Sequence, residues 1–365
     1  MTPAVTPRQG AHGARLLVID EYGLVSHVHA TALADLLHRG DLVVANDAAT
    51  IPASLHGTHV PTGRPVEVRL AGRRSLSPGE VDRFITVVFG AGDYRTPTEH
   101  RPEPPQLKVG DHLSLGPLNA SVVAVRGHRR LVELRFEHPA AVIWEGLARH
   151  GRPIQYAYVP EPLSIWDTWT SIANRPVAFE APSAGFVLDW ATLRAIRSRG
   201  AQFATITHAA GISSTGDAAL DALLPFDEPY AIPRATASLI YQTKQRGGRV
   251  IAVGTTVVRA LEHAAQSCAW VAPGEGIATQ RITSESELRI VDRLVSGLHE
   301  AGSSHYELLR AFQHDDALER MTAEADRRNY RTHEFGDAVF ISRAARATTA
   351  SEDIRTIISA LCPAM

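Results

Sequence analysis

The run RVIAVGTTVVRALE, Arg249 to Glu262, joins a buried-type strand to a hydroxyl-bearing turn and a helix. Backbone N–H groups at such a junction point the same way as the hydroxyls of Thr255 and Thr256, so an anion or a polar ligand edge can sit there. Arg259 follows one turn on, and Glu262 lies three residues beyond it, a spacing that predicts a pair on the helix surface. Taken alone, Gly-Thr-Thr also reads as an ordinary turn and N-cap. Two histidines stand at comparable junctions. His208 ends a predicted strand beside Ala209, Ala210 and Gly211, a place where a histidine is commonly structural. His299 precedes a helix expected to begin near Ser303, whose dipole would lower its pKa and favour the neutral imidazole of a base. Ala181 to Gly185 form a small-residue turn suited to close approach of a ligand to backbone. Asp292, in the helix-like run IVDRLV, reads as a partner of Arg289 or Arg293. Asp337, after Gly336, reads as a turn cap.

Alternating elements must hold these residues. Apolar, β-branched runs predict strands at Arg15–Asp20, Asp41–Asp47, Val66–Ala71, Phe84–Phe89, Ala120–Val125, Leu131–Phe136, Gln202–His208, Arg249–Gly254 and Asp337–Ser342. Helical spacing appears at Thr31–Arg39, Ala140–His150, Asp189–Arg199, Arg234–Gln245, Thr256–Ala265, Ser303–Phe312 and Ala317–Asn329. Gly40, Gly151, Gly200 and Gly247 each follow a helix, where a left-handed residue is expected, and Asp189 and Ser303 are expected N-caps. Between about Gly57 and Glu137 the pattern is strand-only, broken by Gly/Pro turns, which predicts a small all-β domain inserted into a larger mixed α/β domain.

Composition excludes several classes. With 44% hydrophobic and 21% charged residues, the 365-residue chain has the balance of a globular protein. Its 37 basic and 39 acidic residues leave a formal charge of -2, so no global field favours nucleic acid. Cys268 and Cys362 are too few for a disulfide framework or a four-thiolate zinc site. With no signal-like apolar segment and no spanning stretch, the expectation is a cytoplasmic protein without a membrane partner.

Five blocks in order, NDAATIPASLHG (Asn46–Gly57), EAPSAGF (Glu180–Phe186), AVGTTVVRALE, IVDRLVSGLHEAGSSHYELLRAF (Ile290–Phe312) and YRTHEFGDAVFI (Tyr330–Ile341), resemble the S-adenosylmethionine:tRNA ribosyltransferase-isomerase family of queuosine biosynthesis. The resemblance covers about residues 14–343. The family's fold, an α/β domain with an inserted β-barrel, agrees with the composition shift, which places the main domain over 1–56 and 138–343 and the insertion over 57–137; the polar, Ala-rich tail over 344–365 is expected to add a short terminal helix. The resemblance also implies S-adenosylmethionine as substrate, with its ribosyl part transferred and isomerised onto the aminomethyl group of a 7-deazaguanine base in tRNA. Adenine and methionine leave, and no metal is required. Such chemistry needs a base at the carbon made acidic by the sulfonium, donors for purine nitrogens, and dry walls.

On that resemblance His208, His299 and Glu228 are the expected catalytic groups. Thr255, Thr256, Arg259, Ser183, Ala184 and Gly185 are the expected binding residues, with Trp166 (beside Trp169) to stack on adenine. Arg331 is expected to hold the methionyl carboxylate or to pair with Glu334. Glu228, beside Asp227 in a loop, also reads as a solvated acid. Departures concentrate in loops. Ala49 and Ser54 stand where the family carries arginines, Val187 and Leu188 replace a segment with histidine, and LPFDEPY (Leu224–Tyr230) keeps an acid without the family's histidines. Losing two guanidiniums removes phosphate partners, so the expected acceptor is altered from the family's, a small molecule of specialised metabolism being favoured over a tRNA base. A lyase or cyclase of the same sulfonium, and an inactive binding or regulatory paralogue, are the alternatives. Retention of His208, His299, Thr255 and Thr256 argues against decay.

Overall fold

The computed structural model describes residues 1–8, 10–266 and 270–345. Cys268, Cys362 and the expected terminal helix lie outside the described residues. A nine-stranded mixed sheet forms the centre, in the order Gly274–Ala278, Glu228–Ile232, Gln202–His208, Leu42–Asn46, Val250–Val253, Arg293–Gly297, Ala338–Ser342, Arg15–Ile19, Val25–His29. Four neighbours from Gln202–His208 to Arg293–Gly297 run parallel, and the strands flanking these four, Glu228–Ile232 and Ala338–Ser342, run antiparallel to them. The parallel strands read as continuous apolar runs because helices cover both faces. On one face the helices Arg234–Gln245, Thr255–Ala264 and Asp315–Arg327 contribute Ile240, Leu261 and Leu318 to the core. On the other, the helix Trp190–Ser198 and the short turn Ala30–Leu36 pack Ile196 and Leu33 against Val43 and Ile251.

Six antiparallel strands, from Ser54–His59 through Leu131–Phe136, close into a barrel. Its interior is filled by Val68, Phe84, Leu115 and Leu134, and the helix Ala140–His150 plugs one side with Ile143 and Leu147. A mixed α/β protein with a barrel-like all-β part is thus the architecture.

Several local expectations change. Thr31–Arg39 winds only as a 3-10 turn, Ala30–Leu36. The segment after Asp292 is the strand Arg293–Gly297, not a helix, and Asp292 pairs with Lys244 rather than with its arginine neighbours. Asp189 and Ser303 cap their helices as expected, accepting from the N–H groups of Thr192 and Tyr306. Gly40, Gly200 and Gly247 are left-handed, but Gly151 is not. A Cβ on Gly151 would lie 2.6 Å from the Pro52 carbonyl oxygen, so crowding rather than backbone hand selects glycine there.

Candidate active site

The sheet topology puts one edge to use. The four parallel strands end together at His208, Asn46, Val253 and Gly297, while the antiparallel strands starting at Glu228 and Ala338 begin at that same edge. Six loops therefore meet at the carboxyl edge of the parallel strands, the usual ligand position in open α/β sheets. A cleft of about 230 Å³ opens there.

Gly254 makes the entry to the Thr255–Ala264 helix possible. Its φ of +102° is a conformation that a side chain would strain, and it turns the chain so that Thr255 and Thr256 face the cleft. Arg259, one turn on, also lines the cleft but does not pair with Glu262. Its guanidinium donates to Glu228 through Nη1, and to the carbonyls of Phe226, Ala278 and Gln280 at 3.2, 3.0 and 3.3 Å. Glu262 instead accepts the N–H groups of Arg289, Ile290 and Val291 at 2.8, 3.0 and 2.9 Å. Both side chains are buried, so the predicted surface pair is replaced by two interior networks.

Glu228 is not a solvated loop acid. It opens a strand, is 5% exposed, and accepts the Gly211 N–H at 2.6 Å as well as Arg259. Burial pushes its pKa up, against the opposing pull of Arg259 and the Gly211 N–H. His208 lies behind this pair, fully buried and outside the cleft lining. Its Nε2 is 3.5 Å from Glu228 Oε2 without hydrogen-bond alignment, and neither ring nitrogen has a hydrogen-bond partner among the described residues. Burial first, and then the charge of Arg259, drive its pKa well below the ordinary value, so it is neutral.

His299 lines the cleft and stacks on His305 with ring centroids 4.3 Å apart and 12° between planes. Its pKa is also pushed well down, chiefly by burial and then by His305 and His333. The expected low pKa is there, with burial and the neighbouring imidazoles as its causes. His305 falls to about 4 from burial and from Arg259. The result is a pair of uncharged imidazoles, whose nitrogens can donate to or accept from a heterocycle edge.

The cleft also holds a group of residues that spacing did not single out. Glu180 lines the cleft, 9% exposed, with Tyr156 donating to one oxygen and the Ser213 N–H to the other at 3.0 Å. Burial, and then repulsion from Glu334, push its pKa up to about 7 against those hydrogen bonds. Tyr158 donates to Glu334 and stacks between Tyr156 and His333, at 5.7 and 4.3 Å. His333 holds a left-handed φ of +66° that seats it in the cleft wall. The sequence signal was present, since Glu180, His305, His333 and Glu334 all lie inside the family-resembling blocks EAPSAGF, IVDRLV…LLRAF and YRTHEF.

Of the remaining expected binding residues, Ser183 and Ala184 line the cleft, whereas Gly185 lies outside its lining and faces Thr170. Trp166 also lies outside the lining, 64% exposed and edge-on to Trp169 in the turn Ile165–Thr168. Arg331 lines a separate surface groove with Arg8, Arg15 and Asp337. Asp337 has the structural role expected, accepting from Arg15 and from the Arg331 N–H. Among the described residues, no three His, Cys, Asp or Glu side chains converge as a metal ion would require, and no helix is long and apolar enough to cross a membrane.

Fold and cleft together define an α/β protein with a cleft at its sheet edge, lined by small and hydroxyl-bearing residues together with the neutral His299–His305 pair and the buried acids Glu180 and Glu228. Residues 2–341 match the family described as queuosine biosynthesis protein. The chain is 33% identical over 348 residues to the S-adenosylmethionine:tRNA ribosyltransferase-isomerase of Geotalea uraniireducens, covering 93% of this chain and 95% of that protein. The enzyme of the same description from Synechococcus elongatus is 32% identical over 352 residues, covering 93% and 91%. A crystal structure of S-adenosylmethionine tRNA ribosyltransferase from Thermotoga maritima aligns with a TM-score of 0.49 at 24% identity, over 93% of this chain and 95% of that one. The chain therefore belongs to the queuosine biosynthesis protein family, a family of transferase-isomerase enzymes.

Proposed function

We propose that the carboxyl-edge cleft consumes S-adenosylmethionine. It transfers and isomerises the ribosyl part with loss of adenine and methionine, onto an acceptor altered from the tRNA 7-aminomethyl-7-deazaguanine base. The observation that carries this reading is the convergence, in one cleft, of the neutral His299–His305 pair, Thr255 and Thr256, and the buried acid Glu180. An imidazole that stays uncharged can meet purine nitrogens without repelling a sulfonium. Thr255 and Thr256 offer hydroxyls to sugar oxygens, while Arg259 holds Glu228 as a fixed charge pair behind them. A cation such as a sulfonium is favoured beside acids that carry negative charge when deprotonated. His299 is assigned to adenine, Ser183 and Ala184 to close backbone approach, and Glu228 with His208 to the support of that wall.

The altered acceptor is supported by the two replaced arginine positions. Ala49 is buried in a short strand, and Ser54 is buried and donates to Glu67 at 2.8 Å, so neither side chain offers a charge to a phosphate. Incubating the purified protein with S-adenosylmethionine, with and without tRNA bearing the aminomethyl base, and weighing the products by mass spectrometry tests both parts. Adenine and methionine released without that tRNA, with water taking the missing acceptor's place, are expected. Release only with it would restore the family acceptor, and no binding or turnover in either arm would sink the enzymatic reading.

A further inference from the structure

We propose that Glu180 is the base that takes the proton from the 5′ carbon of S-adenosylmethionine, with Tyr156 as its positioning residue. This rests on the reading that the cleft consumes that substrate. The cleft region holds eight acid or imidazole groups: Glu300 is 71% exposed, Glu334 accepts from Tyr158, His333 stacks on Tyr158 and His305 on His299, and the geometry separates the other four. Glu228 is committed to Arg259 and to the Gly211 N–H, so its anion is already neutralised by partners that would be lost on protonation. His208 does not reach the lining. His299 faces the cleft, but burial and the neighbouring His305 and His333 make it a poor proton acceptor. Glu180 faces the cleft and has no ion-pair partner among the described residues.

Its hydrogen bonds suit a group that changes protonation state. The single proton of Tyr156 has two acceptors within reach, a Glu180 oxygen and the Ser214 carbonyl oxygen at 3.0 Å. With Glu180 ionised, Tyr156 donates to the carboxylate. Once Glu180 carries a proton, the Tyr156 hydroxyl can rotate to the Ser214 carbonyl and accept from the acid instead, so both states are fully hydrogen-bonded. The Ser213 N–H holds the second oxygen throughout and fixes the side-chain direction. Near neutral pH the ionised form remains available, and burial with the repulsion of Glu334 makes it a stronger base than an exposed carboxylate. In the step itself the 5′ C–H bond breaks and an O–H bond forms on Glu180. The electron pair stays on carbon beside the sulfonium, so charge and atoms balance without any further reactant.

Exchange of the 5′ hydrogens in deuterium oxide reads this step directly. Wild type and Glu180→Gln are incubated with S-adenosylmethionine, its binding followed by calorimetry and its deuterium content by mass spectrometry. Retained binding with exchange slowed at least about 100-fold in Glu180→Gln is expected, since positioned acid–base groups contribute on the order of 10²–10⁴-fold. Tyr156→Phe should bind and exchange at an intermediate rate. Glu180→Gln that binds and exchanges within threefold of wild type overturns the assignment while leaving the functional reading intact. Wild type that does not bind overturns both, and wild type that binds without exchange overturns the assignment alone. Should Glu180→Gln fail to fold or bind, Glu180→Asp decides: slowed exchange supports the assignment and a wild-type rate overturns it.

Discussion

Two buried glutamates, one in the barrel and one in the cleft, show how surroundings decide what a carboxyl group does. Glu67 is 2% exposed and accepts from Arg69 at 2.8 Å, from Ser54 at 2.8 Å, and from Arg101. Burial alone would raise its pKa, but the two guanidiniums outweigh it and hold the carboxyl at about 2. Glu180 is similarly hidden, has only a tyrosine and one N–H as donors, and faces another acid, so it rises to about 7. Arg69 reaches the Tyr156 ring, 5.5 Å away, and extends a pair to Glu67 but not to Glu180. A cavity of about 410 Å³ lies beside Glu67, but this acid in its wall is already paired with two guanidiniums. The barrel glutamate is architecture; the cleft glutamate is left poised.

Breaking the barrel cluster should cost most. Glu67→Gln leaves Arg69 and Arg101 buried without their counter-charge, and a loss of about 3–5 kcal/mol in stability to denaturant is expected. A loss below about 1 kcal/mol would contradict the contrast. Glu180→Gln should behave in the opposite way. A carboxyl raised from the ordinary value of 4.5 to about 7 contributes stability that is complete below the unfolded pKa and lost as pH rises through the folded one. The variant should therefore gain on wild type between about pH 4.5 and 7, by up to on the order of 3 kcal/mol, seen as a rising difference in melting temperature. A pH-independent difference would mean that Glu180 ionises normally. For Glu67 the sign reverses, its contribution being present above about pH 4.5 and lost only as pH falls toward 2.

How much of this was readable beforehand follows from what each element had to satisfy. Gln202–His208, Ala140–His150 and Arg234–Gln245 were legible to the residue because burial on a sheet or one helix face imposes a period. Arg293–Gly297 was misread because the preceding IVD extends its apolar run into something with helical spacing. Glu228–Ile232 was missed because it is short and carries Pro229, which argues against a strand bonded on both sides. The blocks around Glu180 and His305 were visible as family motifs. Which of their members face the cleft depended on how six loops meet, and no local period records that.

Smaller effects sharpen the same comparison. Ser54→Ala removes one of three donors to Glu67 and leaves both arginines, so about 1 kcal/mol is expected from chemical denaturation. A cost equal to that of Glu67→Gln would show that the serine, not the guanidiniums, holds the cluster together. Trp166→Ala, outside the cleft, should change the dissociation constant of S-adenosylmethionine by less than about twofold, or 0.4 kcal/mol. A tenfold loss by calorimetry would return adenine stacking to that exposed ring.

The position of S-adenosylmethionine in a crystal structure of the complex tests the central claim most directly. The adenosyl group is expected in the carboxyl-edge cleft, its purine against His299 and His305 and its 5′ carbon facing Glu180. An adenosyl group seated in the barrel-side cavity beside Glu67, with the cleft empty, would contradict it.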